Sequence, residues 1–120
     1  MARILVVDDS ASMRQMVAFT LKGAGHVVVE KNDGVEALAS AKTESFDLVI
    51  TDVNMPNMDG ITLTKELRGL PNYRFTPILT LTTESSAEKK MAGKQAGATG
   101  WLVKPFNPNQ LLATAKKVLG

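Results

Sequence analysis

The 120-residue sequence contains no cysteine, which excludes a disulfide framework, a thiol nucleophile and a thiolate metal site. Aromatic residues are scarce, at 5%, and include one tryptophan and one tyrosine. No hydrophobic run approaches the roughly 20 residues that span a bilayer. Acidic residues also follow the first short apolar run too soon for a signal peptide. We therefore expect a soluble, cytoplasmic protein that does not enter membranes.

Acidic and basic residues nearly balance, and the net charge is only +2. This value gives no support for nucleic-acid binding. The distribution is uneven: residues 1–60 hold nine acids and five bases, whereas residues 61–120 hold three acids and nine bases. The basic half forms either ordinary solvated helix faces or a surface for an acidic protein partner, and the sequence leaves both interpretations open.

Short apolar runs alternate with helical patterns along the whole chain. The runs cover residues 3–9, 26–32, 46–52, 76–83 and 100–106. Continuous apolar runs of this length are typical of strands buried on both faces of a parallel sheet. Helical spacing and capping residues indicate helices around 13–21 and at 34–43, 61–68, 85–96 and 108–119. Short connections then predict one α/β domain over residues 1–120, a (βα)5 three-layer sandwich with a five-stranded parallel sheet.

Polar residues end four of the predicted strands. Asp8 and Asp9 end the first strand, Asp52 ends the third, Thr82 ends the fourth and Lys104 ends the fifth. Because ligands of such sheets bind beyond the carboxyl ends of the strands, we expect these side chains to converge. Three neighbouring carboxylates repel one another and require a counter-charge, for which Mg²⁺ with oxygen ligands is the expected cation.

A carboxylate surrounded by a divalent cation, an ammonium group and a hydroxyl group is suited to phosphoryl transfer. Taken singly, each Asp could simply begin a turn, and Lys104 could simply extend into solvent. Pro105 restricts the backbone of Lys104 and permits a cis peptide bond, which favours a held and functional lysine. The combination predicts a phosphoryl-transfer site at this edge.

Four segments of the chain, "VVDDS", "ITDVNMPNMDG", "LTTES" and "GWLVKPF", occur in the order and on the elements of a known family. The sequence resembles the receiver domain of two-component response regulators, most closely the stand-alone chemotaxis regulators, over essentially its full length. The resemblance implies a flavodoxin-like fold with strand order 2-1-3-4-5. It also implies that the protein is not an enzyme in the usual sense, because it catalyses only its own phosphorylation and dephosphorylation.

The resemblance assigns roles to the residues of the acidic segments. Asp52 is the implied phosphoacceptor, which takes a phosphoryl group from a histidine kinase. Asp9, Asp52 and the backbone carbonyl of Asn54 are implied Mg²⁺ ligands, and Asp8 is implied to act mainly through water. Asn54 and Glu84 are implied to tune dephosphorylation and to give a short-lived phosphoryl state.

The later segments carry the implied switch. Thr82 is the switch hydroxyl, Lys104 pairs with the phosphoryl group, and the Lys104–Pro105 bond is expected to be cis. Trp101 stands at the position of the switch aromatic, where the best-known chemotaxis members have tyrosine. An indole is larger than a phenol and has no hydroxyl, so its effect on the output face is left open by the sequence.

Signalling by such a domain is expected to use a face formed by residues 85–96, 100–104 and 108–119. The residues assigned to this output face are Lys89, Lys90, Lys94, Trp101 and Lys116. No output domain follows in the sequence, so we expect a monomer that signals by binding a partner. The implied partners are a CheA-like histidine kinase, a FliM-like flagellar motor switch protein and a phosphatase, with no nucleic acid or membrane.

Three other functions are compatible with parts of this pattern. A receiver domain of a different circuit, such as type IV pili or a phosphate sink, is poorly separated from a motor-binding one by sequence. A phosphohydrolase with an aspartate nucleophile requires a second Asp where Asn54 stands. A flavodoxin-like cofactor carrier requires a phosphate-binding first loop, which Asp8 and Asp9 would repel.

Overall fold

The computed structural model describes residues 1–120, in which five strands alternate with five α-helices. In chain order the elements are β1 (Arg3–Val7), α1 (Ala11–Gly23), β2 (Val27–Lys31), α2 (Gly34–Thr43), β3 (Leu48–Thr51), α3 (Gly60–Arg68), a 3-10 turn (Pro71–Tyr73), β4 (Ile78–Thr82), α4 (Ala87–Ala96), β5 (Gly100–Val103) and α5 (Pro108–Leu119). The predicted alternation is confirmed. The 3-10 turn was not predicted.

The sheet is parallel and has the strand order β2-β1-β3-β4-β5, which confirms the predicted fold. In its register, Val7 lies beside both Lys31 and Thr51, and Thr82 lies beside Val103. The ends of β1, β2 and β3 are therefore level, while β4 runs two residues further and ends level with β5. Residues that follow β1, β3, β4 and β5 emerge at the same edge of the sheet, where a ligand site is expected.

Two apolar layers enclose the sheet, because successive side chains of a strand point to opposite faces. In β1, Ile4 packs on one face and Leu5 on the other, and both are fully buried. The first layer contains residues of α1 and α5, namely Val17, Leu21, Leu111 and Ala115. The second contains residues of α2 and α3, namely Ala37, Ala41, Leu63 and Leu67. The continuous apolar runs reflect this burial on both faces.

Burial is less complete at the edge of the sheet and on the helix surfaces. β2 is an edge strand, and its residues are exposed or half-buried rather than buried on both faces. In α1, Met16 follows the helical spacing but is 56% exposed, since Val17 and Leu21 supply the face that packs on the sheet. None of the helices has the length and apolar character that a membrane crossing requires.

Capping side chains set where the helices begin. At all five α-helices the residue before the first turn accepts a hydrogen bond from a backbone N–H of that turn; these residues are Ser10, Asp33, Asp59, Ser86 and Asn107. The cap Ser86 makes α4 begin at Ala87, two residues later than the sequence predicts. The segment between β4 and α4 is correspondingly longer and approaches the carboxyl edge of the sheet.

Candidate functional site

Three carboxylates meet at the carboxyl edge of the sheet. Asp8 and Asp9 follow β1, and Asp52 follows β3, which is the neighbouring strand. One oxygen of each carboxylate lies within 4.8 Å of the others. Asp8 and Asp52 are buried, with 4% and 8% exposure, whereas Asp9 is exposed. The result is an acidic pocket that is closed on the sheet side and open to solvent at Asp9.

Lys104, at the end of β5, lies between the two buried carboxylates. Its Nζ donates to Asp8 Oδ2 at 2.8 Å and contacts Asp52 Oδ2 at 3.2 Å. Burial alone would lower the pKa of Lys104, but the bond to Asp8 and the charges of Asp52 and Asp8 outweigh it, so its pKa lies above the usual value. The Lys104–Pro105 peptide bond is cis. The ammonium group is thus charged and held at the centre of the site.

Backbone groups fix the remaining oxygens of the buried carboxylates. The N–H of Ser10 donates to Asp8 Oδ1 at 2.9 Å, and the N–H of Val53 donates to Asp52 Oδ1 at 2.7 Å. The side chain of Asp9 is exposed and makes no hydrogen bond within the protein, and one of its oxygens lies within 4.8 Å of the buried carboxylates. The Asp9 carboxylate is therefore free to bind a cation.

Arg14 also supports the site, although the sequence analysis did not identify it. Its Nη1 donates to the backbone oxygen of Asp8 at 2.8 Å, and its Nε pairs with Glu30 Oε1 at 3.3 Å. The side chain thereby connects α1 to the ends of β1 and β2. No local sequence pattern predicts this supporting role of Arg14, because its partner Glu30 lies on a different element.

The donor set fits a hard divalent cation. Three carboxylates face one ammonium group, so negative charge is in excess in the pocket. Mg²⁺ prefers oxygen ligands, needs few carboxylates and keeps several waters. Asp9 offers exposed oxygens, while the buried carboxylates of Asp8 and Asp52 each already accept from a backbone N–H and from Lys104, more distantly at Asp52. Asn54, the other predicted ligand, lies exposed on the loop that leaves Asp52.

A chain of contacts leads from the site to α4. Thr82 is fully buried, and its hydroxyl oxygen accepts from the N–H of Glu84 at 3.1 Å. The carbonyl oxygen of Glu84 accepts from Trp101 Nε1 at 2.9 Å. A hydrogen bond from the Ser86 N–H holds the pKa of the Glu84 carboxyl below its usual value. The Thr82 hydroxyl, the Glu84 backbone and the Trp101 indole are therefore linked in series.

The predicted output residues do not all lie together. Lys90, Lys94 and Trp101 line one cavity of about 300 Å³ between α4 and β5. Lys89 is exposed on the same helix. Lys116 instead lines a separate cavity of about 730 Å³, beside both chain termini. The structure thus groups the lysines of α4 with Trp101 and places Lys116 apart from them.

Comparisons with known proteins point to one protein family. A family profile described as the response regulator receiver domain matches residues 4–116. A chemotaxis protein CheY homolog of Campylobacter jejuni is 40% identical over 120 residues, covering 98% of this chain and 92% of its own length. The alkaline phosphatase synthesis transcriptional regulatory protein PhoP of Bacillus subtilis is 38% identical over 117 residues, covering 98% of this chain. The chain spans about half of PhoP, at 48% of its length.

Solved structures with the same fold include proteins from several bacteria. The chemotaxis protein CheY4 of Vibrio cholerae superposes with a TM-score of 0.94, with 58% identity and 98% coverage of both chains. The receiver domain of the sensor histidine kinase PA1611 of Pseudomonas aeruginosa superposes with a TM-score of 0.93 at 29% identity, covering 99% of this chain and 98% of its own. That domain has a magnesium ion coordinated in its active site cleft.

Proposed function

This chain belongs to the response regulator receiver family, and we propose that it is a phosphorylation switch in which Asp52 accepts a phosphoryl group from a histidine kinase. Receiver domains are signalling proteins rather than enzymes with a separate substrate. We assign residues 1–120 to this one domain, since the sheet and all five helices lie within them.

The observation that carries the proposal is the position of the Asp52 carboxylate. It lies at the tip of β3, with one oxygen bonded to the Val53 N–H and the other in contact with Lys104 Nζ. In the transfer, an oxygen of Asp52 forms a bond to phosphorus, and the phosphorus–nitrogen bond of the kinase phosphohistidine breaks. The imidazole nitrogen takes up a proton. Lys104 is placed to pair with the charge on the phosphoryl oxygens.

We assign Mg²⁺ to Asp9, Asp52 and the backbone carbonyl of Asn54, with Asp8 as an indirect contributor. The exposed Asp9 and the excess of carboxylates support this set. When bound, Mg²⁺ supplies charge neutralisation to the phosphoryl oxygens. The magnesium ion in the PA1611 receiver domain supports the choice of metal. Asp8 contributes by accepting a hydrogen bond from Lys104, which holds the ammonium group in place.

Thr82 is proposed as the switch hydroxyl. Its oxygen accepts a hydrogen bond from the Glu84 N–H. A hydrogen bond from the Thr82 hydroxyl to a phosphoryl oxygen on Asp52 would draw the hydroxyl away from Glu84. The acyl phosphate carries about two negative charges where the carboxylate carried one, which favours this movement. Because Glu84 also accepts from Trp101, the change at Thr82 would be transmitted to the indole and to α4.

The output is proposed to be binding of a partner protein by the surface around Trp101. Lys90 and Lys94 flank the indole and favour an acidic partner. The flagellar motor switch is the first candidate, supported by the similarity to CheY4 and the CheY homolog. The comparable identity to PhoP favours keeping a non-flagellar circuit as the second candidate.

Phosphotransfer is tested with labelled acetyl phosphate or a labelled cognate kinase. Label is expected on the wild-type protein only with Mg²⁺, and it should be lost in Asp52→Asn. Asp59→Asn is the matched control, since Asp59 is exposed and only caps α3. That variant should retain the label. Labelling of Asp52→Asn at the wild-type level would overturn the assignment of the phosphoacceptor.

The partner is tested by pull-down with the amino-terminal peptide of a motor switch protein, with and without beryllofluoride as the phosphoryl mimic. Binding should increase with beryllofluoride and decrease in Lys90→Ala. Lys42→Ala, on the exposed surface of α2, is the control and should bind normally. A beryllofluoride-activated protein that does not bind the peptide would assign the chain to a non-flagellar circuit.

A further inference from the structure

The loop that leaves Asp52 is closed at its base. Val53 is 1% exposed, and its carbonyl oxygen accepts from the N–H of Gly60 at 2.8 Å. A β-carbon on Gly60 would collide with the carbonyl oxygen of Asp52, so a glycine is needed where the loop returns to the strand. Asn54, the proposed source of a metal-binding carbonyl, lies on the exposed stretch between these two ends.

The far side of this loop is attached to α2. Asn57 has a φ of 68°, in the left-handed region that asparagine tolerates better than most residues. Its Nδ2 donates to Asp33 Oδ2 at 2.8 Å. The other oxygen of Asp33 accepts from the Glu36 N–H at 2.9 Å and so caps α2. One carboxylate therefore holds both the start of α2 and the turn of the loop.

Close packing at the same place provides a second, independent contact. Gly34, the first residue of α2, is buried, and a β-carbon there would stand 2.7 Å from the carbonyl oxygen of Met58. The Asn57–Met58 backbone thus rests directly on the amino end of α2. Hydrogen bonds from Glu36 and Asn57 also lower the pKa of Asp33, so the carboxylate is ionised at neutral pH.

We propose that Asp33 and Asn57 are positioning residues for the metal site. This inference rests on the proposed function of Asp52 and Asn54. The Asn57–Asp33 bond fixes the turn three residues beyond Asn54, while the Gly60–Val53 bond fixes the base. With both held, the Asn54 carbonyl has little freedom of orientation. Loss of the Asn57–Asp33 hydrogen bond removes none of the metal ligands, but it lets the loop sample other orientations. This freedom weakens Mg²⁺ binding.

The test measures Mg²⁺ affinity by calorimetry and the amide hydrogen exchange of residues 53–59. Asn57→Gly retains the positive φ but removes the side-chain bond, and Asp33→Ser retains a capping oxygen for α2 but cannot reach Asn57. Each variant is expected to bind Mg²⁺ about tenfold more weakly, in line with the loss of an outer contact of a metal site. Exchange should accelerate in the loop and remain unchanged in the central strands.

Two further variants separate positioning from general destabilisation. Asp33→Asn keeps a capping oxygen and, once the Asn57 amide has turned over, can donate its own amide to the Asn57 oxygen, so it should retain most of the Mg²⁺ affinity. Asn72→Gly removes an exposed asparagine from the 3-10 turn and should leave the affinity unchanged. Combining Asn57→Gly with Asp33→Ser should cost no more affinity than either change alone, because both remove the same bond.

The outcomes distinguish this inference from the proposed function. If the wild-type protein binds Mg²⁺ and the two single variants match it within about twofold, the positioning role is wrong, since that change is far below the typical effect of such contacts. If Asp33→Asn is as weak as Asp33→Ser, the Asn57 bond is not the cause and the role is also wrong. If the wild-type protein takes up neither Mg²⁺ nor label, the proposed function itself fails, whatever the loop exchange shows.

Discussion

The indole of Trp101 lies against Gly93 so closely that a β-carbon at position 93 would stand 2.6 Å from its Cζ3 atom. Gly93 is buried in α4, where a glycine otherwise weakens a helix. The absence of a side chain leaves room for the indole, which also donates to the carbonyl oxygen of Glu84. The glycine in α4 thus accommodates the large ring of Trp101 beside the helix.

Gly93→Ala should expel the indole from α4. The added methyl group overlaps the ring, so either the ring or the helix must move, and the bond to Glu84 is lost. Overpacking of this kind costs about 1–3 kcal/mol, partly offset by the better helix propensity of alanine. Because Trp101 is the only tryptophan, its fluorescence should shift to longer wavelength and become more easily quenched by acrylamide.

The control for Gly93→Ala is Gly23→Ala at the end of α1, where an added β-carbon would meet nothing within 4 Å. This control should leave the fluorescence unchanged. Wild-type fluorescence in Gly93→Ala would contradict the close packing of Trp101 on α4.

Lys104→Met should destabilise the folded protein by about 3 kcal/mol, because Asp8 and Asp52 would remain buried without their counter-charge. Added Mg²⁺ should stabilise this variant more than the wild type, since the cation would replace the missing positive charge. Urea unfolding at neutral pH, with EDTA and with Mg²⁺, measures both effects. Lys65→Met, at an exposed site of α3, serves as the control. Equal stability of Lys104→Met and wild type in EDTA would refute the argument.

Tyr73, the only tyrosine, should ionise at a higher pH in the folded protein than in urea. Burial raises the pKa of Tyr73, and the carbonyl oxygens of Ala41 and Glu44 share the single proton of its hydroxyl. A raised folded-state pKa gives stability that is fully present below the unfolded value of about 10 and is lost as the pH rises through the folded value. Ultraviolet absorbance of tyrosinate follows the titration directly. A midpoint near the ordinary value in the folded protein would contradict this expectation.

Tyr73→Phe tests the same group at neutral pH. Removing the hydroxyl should lower the free energy of unfolding by about 1–2 kcal/mol, because the two carbonyl oxygens lose the one donor that they share. It should also reduce the decline in stability above about pH 10, where the unfolded tyrosine ionises. Labelling of Asp52 should be unaffected, since Tyr73 contacts the end of α2 and not the acidic pocket.

Arg68→Lys should destabilise the protein by about 2 kcal/mol although it retains the charge. The guanidinium group donates to the carbonyl oxygens of Gly97, Tyr73 and Thr76, a fork that an ammonium group cannot reproduce. Burial lowers the pKa of Arg68, in keeping with a site that has no carboxylate partner. Arg74→Lys, at an exposed site, is the control and should unfold like the wild type in urea. Equal unfolding of the two variants would show that the fork contributes nothing.

Much of the fold and of the acidic pocket could be predicted from the sequence. The alternation of apolar runs with helical patterns predicted the sheet and the helices, because a strand that is buried on both faces consists of a continuous run of apolar residues. The positions of Asp8, Asp52 and Lys104 at strand ends predicted their meeting, since parallel strands finish at one edge. Helix starts were less certain, as the two-residue delay of α4 shows.

The sequence by itself determined the order of elements and the carboxylates at the edge of the sheet, because strand periodicity and strand ends are properties of neighbouring residues. Only the tertiary structure decided which distant groups meet. It placed Asn57 on Asp33, 24 residues away, and left Lys116 in a different cavity from Lys90. Such pairings depend on how loops and helices pack on the sheet, and no pattern of neighbouring residues records that packing.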